Sequence, residues 1–125
     1  MSLKYDNSGR KEVILVPTQE IEELKKQFVD QLVPSKIYLF GSFANNSYTE
    51  DSDFDFYIIV DDNIRDMVAE TAKAYRAVRR VKKRPVDIII GTKSRFEARK
   101  KIPSVENEVY RKGILLYDAG DERRV

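Results

Sequence analysis

Neither cysteine nor histidine occurs among the 125 residues. Without cysteine there is no disulfide framework and no thiolate metal centre; without histidine the commonest transition-metal ligand and general base is missing. Any catalysis must rest on carboxylates, hydroxyls, Lys/Arg and bound metal. No apolar run approaches the roughly 18 residues needed to span a bilayer. The N-terminus shows no apolar segment after a basic start, so no signal peptide is read and a cytoplasmic protein is expected. No internal repeat or low-complexity segment occurs. Proline is scarce, and Pro17, Pro34, Pro85 and Pro103 all fall where the surrounding pattern expects an element to begin or end.

What is present fits one soluble domain with a real core: 42% hydrophobic and 35% charged residues in a chain of this length. The net charge of +2 hides an asymmetry. Residues 1–62 carry 6 Lys/Arg against 12 Asp/Glu, and residues 63–125 carry 17 against 9. Such halves either meet within the fold, or the basic half faces an anionic ligand or partner.

Taken in order, residues 1–12 read as a flexible tail containing Asn7-Ser8-Gly9, and Val13–Val16 as a short edge strand or docking segment. Ile21, Leu24, Phe28 and Leu32 recur at helical spacing, with Thr18 as N-cap and Pro34 as terminator. A strand is expected over 36–40, another over 53–60, then a helix announced by Asp61-Asp62-Asn63. That helix carries Ile64, Met67, Val68, Ala72, Tyr75 and Val78 on its apolar face and ends near Arg84. Val86–Ile90 reads as a central strand covered on both faces. Helices over 93–101 and 104–112, with Gly113 as the residue after the second, precede a last apolar run at 114–117. The fold class is α/β (α+β): a small mixed sheet flanked by helices, spanning 13–118, with 119–125 as a C-terminal tail.

The chain is organised around residues 40–60. Gly41-Ser42 closes one apolar strand and Asp53-x-Asp55 opens the next. In a strand, Asp53, Asp55 and Tyr57 share one face, while Phe54, Phe56, Ile58 and Val60 share the other, the expected core side. Two carboxylates about 6–7 Å apart along one strand face repel unless a hard cation sits between them. A glycine at a strand end allows close backbone approach, and a serine there caps a short helix whose free N–H groups attract anions. The combination suits a nucleoside triphosphate with magnesium.

Gly-Ser, ten residues, then Asp-x-Asp at the head of an apolar strand resembles the signature of the DNA polymerase beta-type nucleotidyltransferase superfamily, in its minimal nucleotidyltransferase (MNT) branch. The resemblance covers roughly residues 13–118. It implies a third carboxylate on a neighbouring strand, and Asp87 in Pro85–Ile90 suits that place. It further implies that Asp53, Asp55 and Asp87 are catalytic and hold two Mg²⁺ or Mn²⁺ ions, and that Gly41, Ser42, Asn45 and Ser52 contact ATP or another NTP. The activity implied is transfer of a nucleoside monophosphate to an acceptor hydroxyl, with release of pyrophosphate. MNT proteins of this kind resemble the antitoxin of HEPN/MNT toxin–antitoxin pairs, so the acceptor expected is a tyrosine on a HEPN-type partner.

Two other readings share the same motif. One has a small hydroxylated molecule such as an antibiotic as acceptor, with a partner subunit completing the pocket. The other is an inert partner-binding module of the same fold, against which three retained, mutually repelling carboxylates argue. Many relatives read Ala-Arg-Gly after Gly-Ser-x, whereas this chain has Ala44-Asn45-Asn46, one cation short at the triphosphate. The run Arg76, Arg79, Arg80, Lys82, Lys83, Arg84 reads equally as a solvated face or as an anion or partner surface. Nucleic acid as direct substrate is not expected, since no binding module accompanies the charge; a homo-oligomer is compatible with this sequence.

Overall fold

The computed structural model describes residues 2–5, 11–16 and 18–122. In chain order the elements are β1 (Ser2–Tyr5), β2 (Lys11–Val16), α1 (Thr18–Leu32), β3 (Lys36–Phe40), a 3₁₀ turn (Gly41–Phe43), β4 (Phe54–Val60), α2 (Met67–Val78), β5 (Val86–Thr92), α3 (Lys93–Arg99), α4 (Val105–Lys112), β6 (Ile114–Asp118) and α5 (Ala119–Glu122). The main sheet has the order β5-β4-β3-β6 and is mixed: β3 pairs antiparallel with β4 and β6, while β4 and β5 are parallel. The mixed sheet flanked by helices agrees with the sequence reading.

Helices cover both faces of this sheet. On one face, Ile21, Leu24, Phe28 and Leu32 of α1 and Ala74 and Val78 of α2 pack against Ile37, Leu39, Phe54, Phe56, Ile58 and Val60. On the other, Phe96 of α3 and Val109 of α4 pack against Phe40, Tyr57 and Ile59. Tyr57 is therefore core rather than a partner of the aspartates at the surface. The period-2 pattern marks which residues share a face; it does not say where along the strand a second layer begins.

Several expectations are corrected. Residues 2–5 and 11–16 form a separate antiparallel pair, β1 with β2, and not an edge of the main sheet; residues 6–10, with Asn7-Ser8-Gly9, and residues 123–125 lie outside the described residues. Residues 119–122 form a short helix. Asp61 closes a turn by accepting from the Asn63 amide, and Asp66 is the residue that caps α2, accepting from Ala69 N at 3.0 Å. With the helix beginning at Met67, its phase buries Glu70, Ala74 and Val78 and leaves Val68, Ala72 and Tyr75 exposed. It ends at Val78, so most of the basic run follows it. β5 is an edge strand, with Val86 and Ile88 buried and Asp87 and Ile89 exposed. Three consecutive isoleucines conceal that alternation. Gly113 has φ −68°, an extended conformation, so it ends α4 without the left-handed geometry that favours glycine.

Candidate active site

The register of the sheet assembles the motif at one pole. Phe40, the last residue of β3, pairs with Asp55 of β4, and Asp55 pairs with Asp87 of β5. The chain leaves β3 into Gly41, so the Gly-Ser turn sits over the first residues of β4. Gly41 has φ +73°, and a Cβ there would lie 2.2 Å from Asp55 Oδ2. Only glycine satisfies both conditions. The close approach read from the sequence is thus first of all an approach to Asp55.

Asp53 lies one residue before β4, half-buried like Asp55, while Asp87 is exposed. The Asp55 carboxyl is pushed up to about 6, first by burial, then by the charges of Asp87 and Asp53, a hydrogen bond with Asp87, and last by the charge of Glu108. Glu108 of α4 thereby joins the electrostatic surroundings, which the sequence reading missed because α4 reaches this pole only through tertiary packing. Among the described residues, no three acidic side chains form a ready-made cation cage. That arrangement suits magnesium better than it first suggests, since Mg²⁺ is typically held by one or two carboxylates together with substrate phosphates and water.

The 3₁₀ turn is preceded by Phe40, which contributes no side-chain cap, so Ser42 lies inside the turn rather than capping it. Asn45 is exposed, its amide donating to Gly41 O at 3.0 Å. Asn46 has φ +60°, a left-handed conformation that asparagine tolerates well. The departure from Arg-Gly therefore keeps the backbone turn and changes only the charge. Ser52 belongs to the loop itself: its hydroxyl accepts from Thr49 N at 2.8 Å.

Arg84 holds this loop from behind. Its Nη2 meets Glu20 Oε2 at 3.0 Å and its Nη1 donates to Ser52 O at 3.3 Å. Its guanidinium lies 4.7 Å from the Phe54 ring centroid and 5.4 Å from that of Phe43. One member of the basic run is thus a staple for the motif loop. Tyr48 stacks on Phe43 at 4.5 Å and completes the loop's apolar underside.

A second polar assembly supports β4 on its other flank. Tyr57 Oη donates to buried Glu106 Oε2 at 2.7 Å, and Glu106 also receives Arg99 Nε at 3.0 Å and lies 3.4 Å from Arg95 Nε. Burial opposes ionisation of Glu106, but the bonds from Tyr57 and Arg99 and the charge of Arg95 hold its carboxyl below the usual range. Burial and the Glu106 bond push the Tyr57 phenol up. This assembly fixes α4 against β4, two residues along from Asp55.

Among the described residues no helix is long and apolar enough to cross a membrane. No curated protein matches the sequence. Among solved structures, a toxin–antitoxin crystallised with AMP-PNP is similar at TM-score 0.53 and 18% identity, over 87% of this chain and 79% of that one. A chain of the toxin–antitoxin MntA-HepT gives TM-score 0.50 and 17% identity, over 86% and 77%. A Sulfolobus solfataricus protein assigned as a nucleotidyltransferase gives 0.52 and 19%, over 82% and 86%. At such identities these likenesses concern the fold. The family model described as nucleotidyltransferase domain matches residues 21–116, from within α1 to within β6, and so contains the whole carboxylate pole. The chain belongs to the nucleotidyltransferase domain family and is a nucleotidyltransferase.

Proposed function

We propose that this protein transfers AMP from ATP to the hydroxyl of a tyrosine on a helical, HEPN-type partner protein, using Asp53, Asp55 and Asp87 with a divalent cation. The observation that carries this reading is the pairing of Asp55 with Asp87 directly beneath Gly41. It supports placing the triphosphate over the Gly-Ser turn and the acceptor on the exposed β5 side. AMP-PNP in one structural neighbour and the toxin–antitoxin assembly of others support the nucleotide and the protein acceptor.

In this reading Gly41 and Ser42 lie against the phosphates, and Asp53 and Asp55 hold the cation that accompanies them. Asp87 accepts the proton of the acceptor hydroxyl. The acceptor oxygen then bonds to the α-phosphorus, the bond from that phosphorus to the β-phosphate oxygen breaks, and pyrophosphate leaves. Magnesium or manganese, when bound, supplies the positive charge that offsets the phosphates and the carboxylate cluster. The raised Asp55 carboxyl is consistent with a site that ionises fully only beside a cation.

The test separates binding from chemistry. Mg-ATP affinity is measured by calorimetry and nucleotide transfer by label incorporation into the co-expressed partner. Asp53→Asn and Asp55→Asn are expected to weaken both. Asp87→Asn should lower transfer by about 10²-fold or more with affinity nearly intact, because its interaction arises chiefly in the transition state. Wild-type transfer by a folded Asp87→Asn protein would remove Asp87 from the mechanism.

A further inference from the structure

The corrected phase of α2 leaves an apolar stripe that no other part of the described chain covers. Val68 is 82% exposed and Tyr75 40%, with exposed Ala72 between them on the same helical face. At 100° per residue, Arg76 and the C-cap residue Arg79 fall on that face too, while Arg65 lies just ahead of the helix; all three are exposed. Among the described residues none of the three arginines enters an ion pair. The stripe continues toward the active site. Tyr75 Oη accepts the Ile88 amide of edge strand β5 at 3.0 Å. One residue further, on the opposite face of that strand, is Ile89, 38% exposed and two residues from Asp87.

We infer that the outer face of α2 and the adjoining edge of β5 dock a partner protein through an apolar helical surface rimmed by carboxylates, bringing its acceptor hydroxyl round the β5 edge to Asp87. This rests on the reading that a protein supplies the acceptor. Charge complementarity selects the occupant. A second copy of this chain in a two-fold contact would set the same arginines against each other, which is repulsive. A nucleic acid would pair with the arginines but leave Val68 and Ala72, at the centre, against phosphate and water. A carboxylate-rimmed apolar helix satisfies both kinds of group. Docking proceeds through side chains rather than strand addition, because Tyr75 already occupies the Ile88 amide on the free edge.

Four labelled probes test this by anisotropy and sedimentation: an amphipathic helical peptide with a leucine stripe rimmed by glutamates and bearing one tyrosine, its lysine-rimmed counterpart, a single-stranded RNA, and the protein itself. The glutamate-rimmed peptide is expected to bind at least about tenfold more tightly than the lysine-rimmed one. Val68→Glu and Arg76→Glu/Arg79→Glu should each weaken it about tenfold or more, and both should abolish nucleotide labelling of its tyrosine. Mg-ATP affinity should be unchanged in these variants. Preferential binding of RNA, self-association relieved by Val68→Glu, equal binding of both peptides, insensitivity to the substitutions, or no binding by any probe would each overturn the docking surface. Any of these with Asp53-dependent Mg-ATP binding intact leaves the nucleotidyl-transfer reading standing. Loss of Mg-ATP binding in the wild type would instead remove that reading.

Discussion

Asp55 is held partly buried between two other carboxylates, so its folded form keeps a proton that the unfolded chain gives up near 3.8. With the folded value raised to about 6, stability falls as pH rises from 3.8 through 6, and the full penalty stands above that window. Asp55→Asn should therefore be more stable than wild type at about pH 8, by about 1–2 kcal/mol once partial solvation is discounted. The advantage should shrink toward zero near pH 4. Urea unfolding at both pH values checks this, and a pH-independent difference would detach the carboxyl's proton from folding. Asn45 makes the complementary case at the same scale. Because Asn46 already holds the left-handed turn, Asn45→Arg adds a cation without altering the backbone. It is expected to tighten ATP binding by about 1–3 kcal/mol if the new guanidinium reaches phosphate, as calorimetry would show.

Among the elements, β4 and its neighbour β5 show how a packing constraint differs from a propensity. Gly91 of β5 has no turn to make; a Cβ there would lie 2.1 Å from Tyr57 Oη and 3.0 Å from its Cζ. Gly91→Ala is expected to cost about 1–3 kcal/mol by overpacking. Tyr57→Phe removes the hydroxyl that Cβ would strike, while also taking a donor from buried Glu106. The double variant should thus be less destabilised than the two single losses added together, by a coupling of about 1 kcal/mol, measured in a thermal double-mutant cycle. Additive losses would mean that Gly91 and Tyr57 do not meet. Helix α2 teaches a related lesson. Its sequence carries two apolar stripes, one through Met67, Ala74 and Val78 and one through Val68, Ala72 and Tyr75. Which one is buried follows from where Asp66 starts the helix and from the seat available on β5.

Across the whole molecule, Arg84 is where the acidic and basic halves of the chain close on each other. It links Glu20 of α1, Ser52 of the motif loop and the rings of Phe43 and Phe54. Arg84→Met should lower stability by about 2–3 kcal/mol, since it leaves a partly buried Glu20 unpaired. Arg84→Lys should recover less than half of that, because an ammonium lacks the planar fork and stacks less well. Chemical denaturation of the three proteins distinguishes this from a solvated surface charge, for which all would be nearly equal.

The sequence by itself determined the elements that depend on neighbours a few residues away. The apolar period of α1, the two strands flanking Gly41-Ser42 and the Asp53-x-Asp55 spacing were all legible, because helix and strand periodicity and a local motif are written in consecutive residues; the candidate third carboxylate at Asp87 came instead from the resemblance to a family. Tertiary structure alone decided what depends on distant partners. It made β5 an edge and Tyr57 a core residue, turned Val68 and Tyr75 outward, and assigned Arg84 to the loop rather than to the solvent. It also brought Glu106 to Tyr57 and the charge of Glu108 to bear on Asp55. Each of these rests on which surfaces meet across the fold, and a hydrophobic pattern specifies that a face is buried without specifying the face that buries it.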